Sequence, residues 1–78
     1  MQRKLMKVGD ACWLGEVSAG RPHGEGSLIL ESGSVHSGTF CKGRANGTGT
    51  YYDAMGVVTS GSWVDNKRVG AFTTVDLR

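Results

Sequence analysis

The chain's 78 residues suffice for one small domain, a size at which apolar burial and chain entropy nearly cancel unless a partner or second copy adds stability. Thirteen glycines against one proline argue against helices, where each glycine costs roughly 1 kcal/mol relative to alanine, and suit a chain that turns often. A net charge of +2, from nine basic and seven acidic residues, is too mild for a nucleic-acid binder, and no stretch nears the roughly 20 apolar residues of a membrane span.

The first segment, Met1 to Lys7, is positively charged but lacks the apolar run of a secretory signal. Gln2 to Lys7 has two readings: a strand in a degenerate half repeat over residues 1–10, or a frayed basic tail. Next, Ala11 to Val17 and Gly24 to Leu30 form the arms of a hairpin, and the following two units repeat it. Gly15, Gly38 and Gly61 lie 23 residues apart, as do Gly24, Gly47 and Gly70. The same register aligns Val17 with Phe40 and Trp63, Gly20 with Gly43 and Asn66, Arg21 with Arg44 and Lys67, and Gly33 with Gly56. Asparagine tolerates the left-handed backbone that glycine adopts freely, so the Gly20, Gly43, Asn66 column marks a turn. Running the register backwards puts Leu5 in the column of Leu28 and Asp10 in that of Gly33.

A hairpin symmetric about this turn sets Val17 opposite Gly24, Gly15 opposite Gly26 and Trp13 opposite Leu28. The second unit then sets Phe40 opposite Gly47 and His36 opposite Tyr51, and the third Trp63 opposite Gly70 and Gly61 opposite Phe72. Large side chains thus lie over glycines, which leave room for a ring across the backbone. The other face carries Glu16, Glu25 and many hydroxyls, with Leu14, Ile29, Tyr52 and Val64 as apolar exceptions, so one face is expected to be wet. The expected fold is all-β: a single-layer, elongated antiparallel meander of β-hairpin repeats with about six or seven strands. The repeat domain covers residues 11–78, in units of about 13–35, 36–58 and 59–78.

The columns Trp13, Gly15, Val17, Gly20, Gly24, Gly26 and Gly33 resemble the MORN repeat, as do His36, Gly38, Phe40, Gly43, Gly47, Gly49 and Gly56. Gly61, Trp63, Asn66 and Gly70 follow part of the pattern. The departures are His36 and Thr59 for the leading aromatic, Val17 for the tryptophan and Phe72 for the second glycine of the third unit. The resemblance implies a twisted meander with a groove on one face. It also implies a scaffold or adaptor associated with cytoskeleton or membrane, end-to-end pairing in some members, and a proposed affinity for phosphoinositides.

Trp13, Val17, Leu28, Phe40, Tyr51, Trp63 and Phe72 form the candidate groove row, read both as the sheet's only core and as a receptor for a helix or extended peptide. Arg21, Arg44 and Lys67, extended by His23, Lys42 and Arg68, form a basic edge: either solubilising turn residues or contacts for anionic phospholipid or an acidic partner. His23, His36, Cys12 and Cys41 lack paired metal-site spacing, and Cys12 and Cys41 sit at unrelated repeat positions, so reduced thiols, no metal and no cofactor are expected. No nucleophile, base and acid assemble by spacing, and no helix follows the glycine pairs, so neither catalysis nor a phosphate loop is expected. The leading expectation is therefore a cytoplasmic, non-catalytic protein-interaction module with a protein partner. Val69 to Leu77 has little to block edge pairing, which adds an expected homodimer. The alternative is a peripheral membrane protein that recognises anionic lipid through the basic edge.

Overall fold

Tight turns set the architecture. In this computed structural model, which describes residues 2–78 and side chains from Arg3 onward, Ala19–Gly20, Lys42–Gly43 and Asp65–Asn66 each place two successive residues at positive φ. That is the signature of a two-residue hairpin turn whose twist matches its strands. Asn66 takes a φ of 70° where the other repeats use glycine. The Leu30–Ser34 and Asp53–Val57 connections each close a three-residue loop, with Gly33 and Gly56 at positive φ near its end.

These turns join β1 (Gln2–Val8), β2 (Ala11–Ser18), β3 (Arg21–Ile29), β4 (Val35–Cys41), β5 (Arg44–Tyr52), β6 (Val57–Val64) and β7 (Lys67–Asp76). They form one open sheet in chain order, each neighbouring pair antiparallel, with no helix among the described residues. The molecule measures 36 × 25 × 17 Å, the elongated outline of a single layer. Gln2–Val8 is thus a paired strand rather than a frayed tail.

Two register expectations are corrected. First, the hairpins are not symmetric to their turns. Gly15 faces Gly26 and Trp13 faces Leu28, but Val17 faces Pro22, because Glu16 alone spans His23, Gly24 and Glu25. The same bulge sets Phe40 opposite Ala45 and Trp63 opposite Arg68, not opposite Gly47 and Gly70. Gly24, Gly47 and Gly70 carry the positive φ that a bulge needs, at 94°, 100° and 72°. The bulge hands each glycine to the next repeat, where Gly24 meets Phe40 and Gly47 meets Trp63. Glu16 accepts a hydrogen bond from the Glu25 N–H at 2.8 Å, satisfying a donor beside the first bulge.

Second, Leu5 is not in the place of Leu28. Between Val8 and Ala11 lie only Gly9 and Asp10, so β1 is offset by one residue and Met6, not Leu5, faces Trp13. A one-residue offset exchanges faces. Met6 packs on the core and Leu5 is exposed.

The core lies towards the N-terminal half. Trp13 is wholly buried and Phe40 and Ala45 nearly so, with Met6, Val8, Val17, Leu28 and Trp63 packed around them. Nearly all of β7 is exposed, with Phe72 its one half-buried residue. The opposite face is not uniformly wet. Ile29 and Tyr52 belong to a continuous cross-strand row, Cys12–Ile29–Val35–Tyr52–Val58–Val75, beside a hydroxyl row from Ser27 to Thr73. Side-chain hydrogen bonds join Ser27 to Ser37 and Ser60 to Thr50 within that hydroxyl row.

Candidate functional site

A row of glycines crosses the middle of the sheet. Gly15 pairs with Gly26, Gly26 with Gly38, Gly38 with Gly49, and Gly49 with Gly61. Aromatic rings lie over this strip. The Trp13 indole covers Gly26, and the Phe72 ring is so close to Gly61 that a Cβ there would fall 2.8 Å from it. A Cβ at Gly49 would come 2.9 Å from His36 Nε2 and 3.3 Å from Trp63 Nε1.

The rings also form an unbroken chain of edge contacts. Trp13 meets Phe40 at 4.6 Å between centroids, Phe40 meets His36 at 5.2 Å, His36 meets Trp63 at 4.5 Å, and Trp63 meets Phe72 at 5.3 Å. His36 is therefore an aromatic link in the row although it is not a hydrocarbon ring. Burial holds its imidazole below the ordinary value, favouring the neutral form.

On this face lies a groove of about 580 Å³. Leu28, Phe40, Tyr51 and Trp63 of the expected row line it, while Trp13 and Val17 belong to the core cluster outside the lining and Phe72 packs on Trp63. The sequence reading missed His36, Thr59, Asp53 and Arg68 among the lining residues. Thr59 and His36 share the column of Trp13, and Arg68 that of Pro22 and Ala45 on the same face as Phe72, so the 23-residue register contained those signals; Asp53 had none, because loop geometry decides its face.

Two buried nitrogens in the groove, His36 Nε2 and Trp63 Nε1, have no hydrogen-bond partner among the described residues. By contrast, Trp13 Nε1 donates to the Glu16 carbonyl at 3.0 Å. A buried donor without an acceptor is costly.

The basic set divides. Arg21, Arg44 and Lys67 stand exposed just after equivalent turns, opposite Ser18, Cys41 and Val64. His23 has a structural task, since its Nδ1 accepts from the Lys42 N–H at 3.4 Å, as Asn46 Oδ1 accepts from the Asp65 N–H at 3.2 Å one repeat later. Arg68 is not on the edge with the others. In the same column as Pro22 and Ala45 and paired with Trp63 two residues past the turn, it lies on the groove face, where its guanidinium carbon sits 5.5 Å from the Phe72 ring centre.

The MORN-repeat family model matches residues 13–35, 36–58 and 60–71. No individual curated protein matches the chain.

Proposed function

Because this chain belongs to the MORN-repeat family, whose repeats are generally protein- or membrane-interaction modules, we propose that it is a non-catalytic module that holds a protein partner in its aromatic groove. The supporting observation is the groove itself: an open, 580 Å³ trough in which Tyr51 and Trp63 remain only half-buried on a chain with little other core. A helix or extended peptide laid there would cover these rings and complete a burial that a single-layer sheet leaves half done.

The test is affinity capture with the wild-type chain, Tyr51→Lys and Thr48→Lys, the last altering the opposite face, followed by quantitative mass spectrometry. Partners lost with Tyr51→Lys but kept with Thr48→Lys support the reading. Identical capture by all three chains sinks it.

A second reading rests on the exposed column Arg21, Arg44 and Lys67, which repeats in phase with the strands. It assigns the chain a contact with anionic phospholipid along the turn edge. Sedimentation with anionic vesicles should then be lost when all three residues become glutamate while circular dichroism stays native. Unchanged sedimentation, or none by the wild type, would rule it out.

A further inference from the structure

The groove carries opposite charges at its two ends. Arg68 lines it near the Asp65–Asn66 turn, opposite Trp63, and Asp53 lines it at the other edge, just beyond β5. Gly47, the β5 neighbour of Trp63, and Asp53 are separated by roughly 20 Å of strand at about 3.3 Å per residue. Neither charge has an ion-pair partner among the described residues, where Arg78–Asp76 forms the salt bridge. Asp53 Oδ1 accepts from the Met55 N–H at 2.7 Å, and the cation that acts on its charge, Arg78, is itself held in the direct ion pair with Asp76.

The Arg68 end also offers an amide donor. Asn66 uses its Oδ1 to accept from the Ala45 N–H at 2.8 Å, which commits its oxygen and leaves the amide NH₂ as a donor. Trp63 Nε1 and the Nε2 of His36, itself more than nine-tenths buried, are unpaired but lie over Gly49 against the sheet, beneath the middle of the groove. Between the ends the walls are apolar, with Phe40, Tyr51 and Trp63.

We propose that the groove selects a charge-segregated polypeptide segment, with an apolar middle, acidic side chains towards Arg68 and basic side chains towards Asp53. The inference rests on the groove reading above and adds the chemistry of its occupant. A uniformly acidic segment would meet Asp53, and a uniformly basic one Arg68; each mismatch is a like-charge penalty that enforces specificity and direction.

Three synthetic probes test it, each a helix-forming peptide of about 14 residues with the same leucine-rich face, spanning roughly 20 Å. One carries two glutamates at one end and two lysines at the other, the second has lysines at both ends, and the third glutamates at both ends. Fluorescence anisotropy at low salt should show the segregated probe binding the wild-type chain about tenfold more tightly than either of the others. Arg68→Glu should transfer the preference to the all-lysine probe, and Asp53→Lys to the all-glutamate probe; two variants guard against one failing to fold. Equal binding of all three probes to all three chains, weakened by Tyr51→Lys, overturns the charge inference and leaves the groove reading standing. Absence of binding by any probe, or binding untouched by Tyr51→Lys, overturns both.

Discussion

Trp13 and Trp63 occupy different columns of the repeat and should respond differently to truncation. Trp13 has no exposed surface and covers two glycines, so Trp13→Ala should cost about 3–5 kcal/mol, enough to unfold a chain this small. Trp63 is only half-buried, and Trp63→Ala should cost roughly 1–2 kcal/mol while leaving a folded chain. Urea melts followed by circular dichroism separate the two, and a larger loss at Trp63 would contradict the placement of the core. His36 supplies a pH-dependent test. Its native imidazole is held below the ordinary 6.5 by burial. Above that value neither state is protonated at this residue and stability is flat. As pH falls through 6.5 the unfolded chain takes up the proton first, so stability declines until the lowered native value is passed. The midpoint of thermal unfolding should fall on acidification from pH 7 to pH 5, more steeply in the wild type than in His36→Phe, which keeps a ring in the aromatic chain. Parallel profiles would remove His36 as the cause.

The β-bulge is the device that turns three similar hairpins into one continuous groove. It shifts each return strand against its partner and offers a left-handed glycine to the next repeat, so Phe40 meets Gly24 and Trp63 meets Gly47. At Gly47 a Cβ would meet Thr39 only at an ordinary 3.4 Å, so space is not the objection to a side chain there. The φ of 100° is. Gly47→Ala should therefore destabilise the chain by roughly 1–2 kcal/mol, readable in a thermal melt. Loss below about 0.5 kcal/mol, the level of an ordinary surface change, would mean that the bulge relaxes freely. Neighbouring repeats are also stitched at their turns, where the Gly43 N–H donates to the Pro22 carbonyl at 2.9 Å and the Asn66 N–H to the Ala45 carbonyl at 3.0 Å. Stacking of this kind makes each hairpin depend on its neighbours.

Taken whole, the described sheet leaves one side of β1 and one side of β7 without a neighbouring strand. Exposed Val69, Val75 and Leu77 lie on or beside the β7 edge. Unpaired backbone groups at a sheet edge recruit further strands, so the 78-residue chain by itself should self-associate. Light scattering coupled to size-exclusion chromatography should show a dimer whose population rises with concentration. A monomer at every concentration would refute this and leave a heterologous partner as the remaining cover.

Much of this protein was legible before its structure. The 23-residue glycine register identified the family, the all-β meander and the turn column, because backbone constraints at turns recur in sequence as glycine or asparagine, but left Gln2 to Lys7 open between a seventh strand and a tail. Pairing near the middle of each hairpin followed from the same period, as Trp13–Leu28 and His36–Tyr51 show. Beyond the middle, only the tertiary structure decided the register. A bulge glycine and an ordinary strand glycine are the same letter, and the sign of φ that distinguishes Gly24 from Gly26 arises from competition between twist, hydrogen bonding and neighbouring rings. That difference moved Phe40 and Trp63 off Gly47 and Gly70 within their own hairpins, as the short Gly9–Asp10 turn moved Leu5 out to solvent and Met6 in. The period determined which residues recur; long-range packing determined which way they face.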